Sequence, residues 1–134
     1  MRFIDDINRA VENIQRQADA RVRKVSLAAL QEIDAGSPID KGTFAANWVV
    51  SFDIIDRTFD LSKTKKDIAK TLSKASVMIA SGAKCGTTVF ISNSVPYANK
   101  IEDGYGGKQH VQKPEGVVAP AITKIKNAIE SGRL

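Results

Sequence analysis

The chain has 134 residues, 43% of them apolar and 26% charged, with a formal net charge of +5. That length suits one domain with a modest core, and the composition excludes wholesale disorder. No apolar run reaches the ~18–20 residues that span a bilayer, and one cysteine, Cys85, cannot form an internal disulfide.

Met1-Arg2-Phe3-Ile4 is followed at once by Asp5 and Asp6, so no apolar signal core is expected and the cytosol is the expected compartment. From about Asp5 to Ala35 the apolar residues Ile7, Val11, Ile14, Ala18, Val22, Val25, Ala29 and Ile33 recur every three or four positions. That spacing predicts one long amphipathic helix of roughly 45 Å. Gly36 is placed to end it with a C′ turn, and Pro38 forbids continuation. Such a helix is long for so small a chain. Either it wraps a sheet, or part of its stripe packs on another subunit.

Ser37 to Thr43 has the residues of a turn. Phe44 to Ile54 then reads as a strand, with Trp48, Val50, Phe52 and Ile54 on its buried face. Residues 56–62 read as a loop. Residues 64–81 read as a second helix with Ile68, Leu72, Ala75 and Ile79 on its apolar stripe, a Thr64/Asp67 capping box and Gly82 as its stop. Thr87 to Asn93 is a short β-branched strand that Ser94-Val95-Pro96-Tyr97 ends. A helical turn is expected over 97–102, a Gly-rich loop over 103–108, and a last helix from Gly116 to Ile129 along Val118, Ala121 or Ile122, Ile125 and Ile129. The fold class expected is therefore α+β: a long N-terminal helix and further helices on a small twisted antiparallel sheet. Three or four strands are expected, one of them within 108–113.

The charge is uneven. Residues 56–84 hold Arg57, Lys63, Lys65, Lys66, Lys70, Lys74 and Lys84 against Asp56, Asp60 and Asp67, a net +4. Lys63, Lys66, Lys70 and Lys74 fall off the apolar stripe. Such a face suits phosphate or an acidic protein surface. It equally suits plain solvation of a lysine-rich helix.

Catalytic patterns are weak. A dyad of Cys85 with His110 lacks a nucleophile elbow or an orienting carboxylate. Gly104-Tyr105-Gly106-Gly107-Lys108 lacks the phosphate-loop spacing and the Ser/Thr after the lysine. Glu102 and Asp103 are adjacent, so they need not face one site. One cysteine and one histidine do not make a zinc site. Neither a metal nor a cofactor is expected.

Three stretches carry a resemblance. Ser37-Pro38-Ile39-Asp40-Lys41-Gly42-Thr43-Phe44-Ala45-Ala46-Asn47-Trp48 follows the long helix. Ile91-Ser92-Asn93-Ser94-Val95-Pro96-Tyr97-Ala98-Asn99-Lys100-Ile101-Glu102-Asp103-Gly104-Tyr105 comes next, and Pro114-Glu115-Gly116-Val117-Val118 precedes the last helix. In order and spacing they resemble the signatures of tailed-phage neck and tail-completion proteins, the HK97 gp10-like group. Lys41 stands where that group has threonine, and the 106–112 segment is longer than usual. The resemblance covers roughly residues 1–130.

The resemblance implies a non-enzymatic virion protein that completes the tail or joins it to the head–portal connector. It implies a homo-oligomeric ring, six copies being the usual number, around the DNA channel. The implied partners are further copies, the head–tail connector and the tail tube or terminator proteins, with non-specific contact to passing DNA. The implied location is the neck or tail of a virion assembled in the host cytoplasm. Pro38, Asp40, Gly42, Trp48, Asn93, Pro96, Tyr97, Glu102 and Gly104 are the candidate turn and assembly residues. Lys63, Lys65, Lys66, Lys70 and Lys74 are the candidate lumen or inter-ring face. From the residues themselves, Asp40 and Asn93 are expected to accept backbone N–H bonds, and Gly42 to take positive φ. Glu102 is expected to bond backbone amides or a neighbouring subunit. A small nucleic-acid-binding module is the alternative.

Overall fold

The structure is a computed structural model that describes residues 2–104 and 115–134. The architecture is α+β, as expected. Helix α1 runs over Arg2–Gly36, strand β1 over Val49–Phe52 and helix α2 over Ile68–Gly82. Strand β2 covers Val89–Ser92, the short α3 Ala98–Glu102 and α4 Val118–Glu130. Single 3-10 turns precede β1 (Ala45–Asn47) and α2 (Lys65–Asp67).

Among the described residues the sheet has two strands, not three or four. β1 and β2 pair antiparallel, with Val50 opposite Ile91 and Phe52 opposite Val89. The strand expected over 108–113 lies outside the described residues.

Two apolar clusters hold the fold. Leu30, Val50, Ala75, Ile79 and Ala83 join α1, β1 and α2. Ile33, Phe44, Trp48, Val95, Ile101, Val117 and Ala121 join the end of α1 to the 44–48 turn, α3 and α4. Ile91 packs against both clusters. Each fully buried aliphatic side chain contributes about 1.5–3 kcal/mol.

Several boundaries differ from expectation for identifiable reasons. The strand begins at Val49, because residues 45–47 close a helical turn with Ala46 N–H donating to the Gly42 carbonyl at 2.9 Å. It ends at Phe52, because Asp53 adopts φ 66°. The chain then turns outward and leaves Ile54 79% exposed rather than in the core. Helix α1 does not end on a left-handed glycine, since Gly36 is still helical. Instead the Ser37 hydroxyl donates to the Ile33 carbonyl at 2.7 Å, and Pro38 follows. Gly82 also lacks positive φ. Its missing side chain leaves room for Phe52, whose ring lies 2.4 Å from where a Cβ would sit. On α4 it is Ala121, not Ile122, that faces the core.

Helix α1 is about 52 Å long. Among the described residues, only its second half is gripped by the rest of the fold. The first tertiary contacts come at Asp19, whose carboxylate accepts the Cys85 N–H at 2.9 Å, and at Arg23, which donates to the Ala83 carbonyl at 3.4 Å. Residues 2–17 are exposed throughout.

Candidate functional site

The residues of the three resembling stretches converge on the end of α1. Trp48 is buried, its ring edge-on to Phe44 at 5.4 Å between centroids. Its Nε1–H donates to Ser37 Oγ at 2.8 Å, which itself donates to the Ile33 carbonyl. A buried indole N–H thus has its partner, and the turn is tied to the helix end. Asn93 follows β2 and bridges the stretches: its Nδ2 donates to the Phe44 carbonyl at 2.8 Å. Its Oδ1 accepts the Val95 N–H at 3.3 Å, which shapes the turn before Pro96. Pro96 is exposed, while Tyr97 is half-buried against the same cluster.

Asn47 was not among the candidate residues read from the sequence. It is only 2% exposed and is fully bonded. Its Nδ2 donates to the carbonyls of Thr43 (2.7 Å) and Asp60 (3.0 Å), and its Oδ1 accepts the Asp60 N–H at 2.7 Å. It therefore pins the 56–62 loop to the turn. The signal was present, an asparagine immediately before the buried tryptophan, but its partner is 13 residues away.

Gly42 adopts φ 88°, as a turn glycine should. A Cβ there would lie 2.4 Å from the Lys65 backbone nitrogen. The Lys65 N–H donates to the Lys41 carbonyl at 3.1 Å, so the turn is docked on the entry to α2. Asp40 is exposed, and its carboxylate accepts no bond from the described residues. The carbonyls of Lys41 and Gly42 make the turn's bonds in its place. Pro38 is half-buried beside it.

Glu102 closes the far side. Its Oε1 accepts the N–H groups of Val117 (3.0 Å) and Val118 (2.8 Å), and its Oε2 that of Ala119 (3.1 Å). These are first-turn donors of α4 that lack intrahelical partners, at the positive end of the helix dipole. Burial alone would raise this carboxyl. The three backbone donors outweigh it and hold its pKa below the ordinary 4.5. Gly116 at φ 83° makes room, since a Cβ would lie 2.4 Å from the Glu102 carbonyl oxygen. Gly104 is buried with φ 63°.

The lysines divide. Lys63, Lys70 and Lys74 line a groove of about 240 Å³ between β1 and α2, with Trp48, Val49, Val50, Ala75 and Met78 among its other walls. Lys65 and Lys66 sit in the 3-10 turn before α2 and do not line it. Asp67 also reaches the groove, and its Oδ2 accepts the Thr64 N–H at 2.9 Å, the reach-back half of the expected capping box. The groove is a cationic rim over an apolar floor. It can hold acidic or phosphate-bearing groups by charge, without reading sequence.

Cys85 is exposed and unbonded to another thiol. His110 and the 105–108 loop lie outside the described residues. No cluster of three or more His, Cys, Asp or Glu side chains suited to a metal occurs among the described residues. No helix there is long and apolar enough to cross a membrane. No family, no curated protein and no solved structure matches the chain.

Proposed function

We propose that this chain is a non-enzymatic structural protein of a tailed-phage virion. It completes the tail, or joins tail to head, as a ring of identical copies around the DNA channel. One observation carries the reading. The first of the three stretches that resemble neck and tail-completion proteins lies more than 40 residues from the other two, yet their residues pack on one another around Trp48, Asn93 and Glu102. That is what is expected if they are one inherited unit and not three chance matches. Exposed apolar residues at Ile54, Phe59, Leu61 and Val77 supply surface for contacts between copies. A ring needs head-to-tail contacts, in which one patch docks on a different patch of the next copy.

The lysine-rimmed groove favours a second reading, a small nucleic-acid-binding module. The two differ in solution. The ring reading predicts closed rings with a central hole in electron micrographs of the purified chain at high concentration. It predicts weak duplex-DNA binding by the isolated monomer. The module reading predicts tight monomer binding that weakens steeply with salt. Tight, salt-steep binding without rings would overturn the ring.

A further inference from the structure

The N-terminal half of α1 carries a large apolar face that nothing among the described residues covers. Phe3 and Ile14 are 70% and 67% exposed, and Ile4, Ile7 and Val11 are about half exposed. Together they open on the order of 600 Å², at the upper end for the largest patch on a monomer and near the roughly 800 Å² per partner of a standard interface. Most helical stability in proteins comes from packing an amphipathic face, and residues 2–17 stay exposed along theirs.

The spacing indicates another helix. Ile4, Ile7, Val11, Ile14 and Ala18 follow at steps of three, four, three and four. That is the heptad seam at which helices interlock side chains. The charges indicate which helix. Residues 2–17 balance Arg2, Arg9 and Arg16 against Asp5, Asp6 and Glu12. With Ile4 as an a position, the flanking e and g positions are Phe3, Asn8, Ala10, Gln15 and Gln17, none charged. Glu12 and Arg16 pair with each other behind the seam, at 3.6 Å. A face of this kind meets its own copy without like-charge repulsion. A nucleic acid or an anionic lipid surface calls instead for a cationic polar face.

We infer that residues 2–18 of α1 pack against the same segment of a second copy, seam to seam. This contact joins like to like, so it is distinct from the head-to-tail contact that closes a ring. It does not rest on the ring reading.

The test uses the full chain with Cys85→Ser, which removes the one native thiol. Val11→Cys or Arg9→Cys is then added. Val11 is at the middle of the exposed seam, so it faces its counterpart whether the helices run parallel or antiparallel. With oxidised glutathione as the oxidant, two Val11→Cys thiols join as a disulfide and two glutathione thiols are released. Covalent dimers are expected for Val11→Cys and not for Arg9→Cys, which lies on the opposite face. In sedimentation, Ile7→Asp with Ile14→Asp is expected to weaken self-association by about tenfold or more. Both residues are exposed, so the circular dichroism of the remaining fold should persist.

A wild-type chain that stays monomeric at ~100 µM overturns the inference. So does equal cross-linking at both positions, or self-association untouched by the double substitution. Monomeric chain that instead binds vesicles of phosphatidylcholine and phosphatidylglycerol would assign the face to lipid and also overturn it. Rings that form while Val11→Cys and Arg9→Cys cross-link equally would sink the seam and leave the ring reading standing. Cross-linked dimers without rings would do the reverse.

Discussion

Substituting Gly42→Ala should lower stability by about 3 kcal/mol, a fall in Tm of roughly 10 °C for a chain of this size. Two costs combine. The residue sits at φ 88°, where a side chain is strained. The added Cβ would also meet the Lys65 backbone nitrogen at 2.4 Å and its Cα at 2.6 Å. Backbone cannot rotate away as a side-chain tip can. The 40–43 turn must lift off, which breaks the Lys65-to-Lys41 bond and strains the 2.8 Å bond from the Thr43 hydroxyl to the Lys63 carbonyl. Gly86 separates the two costs. It has the same φ of 88°, but a Cβ there meets nothing within 4 Å. Gly86→Ala should therefore cost only about 1 kcal/mol. Thermal melts of the two variants side by side measure the difference, and equal melts would mean that the turn is not docked on α2.

Glu102→Ala should cost about 2–3 kcal/mol, because three N–H donors at the start of α4 lose a charged acceptor at once. Glu102→Gln keeps one carbonyl oxygen for two of those donors and should cost about half as much. The pair also carries a pH signature. The folded pKa of Glu102 is lowered, so its contribution is complete above the ordinary 4.5 and is lost as pH falls through the folded value. Wild type should thus converge on Glu102→Gln as the solution is acidified below that range. Asp56 and Asp60 lose stabilisation in the same direction. Hydrogen bonds from the hydroxyls and backbone N–H groups of Thr58 and Ser62 lower their pKa values. The informative quantity is therefore the difference between wild type and Glu102→Gln, followed by denaturant melts across acidic pH. A difference that does not change with pH would contradict the bonded carboxylate.

The long helix was legible from its stripe, because steps of three and four admit no other regular structure. What the stripe faces was not. Val22, Leu27, Leu30 and Ile33 pack within the fold, while Ile4, Ile7, Val11 and Ile14 do not. Periodicity reports an amphipathic surface, not its partner. The β1 boundary failed because Phe44, Ala45 and Ala46 are buried in succession, which suits a strand or a helical turn equally well. Asn47 decides it, by bonding the carbonyl four residues back.

At the candidate site, Gly42 was legible as a turn glycine, whereas its approach to Lys65 joins residues 23 positions apart. The partners of Glu102 are 15 to 17 residues away, beyond any local signal. The lysines were legible as a cluster in sequence. Their division follows from the 3-10 turn at 65–67, which takes Lys65 and Lys66 off the α2 helical surface that carries Lys70 and Lys74.

The ring-forming virion role is tested most directly by electron microscopy of lysates from a virus in which this gene is disrupted. The account predicts a defect in assembly at the neck or tail. Filled heads beside free tails of normal length would identify the joining role, and tails of uncontrolled length the terminating one. Normal, infectious particles would contradict it.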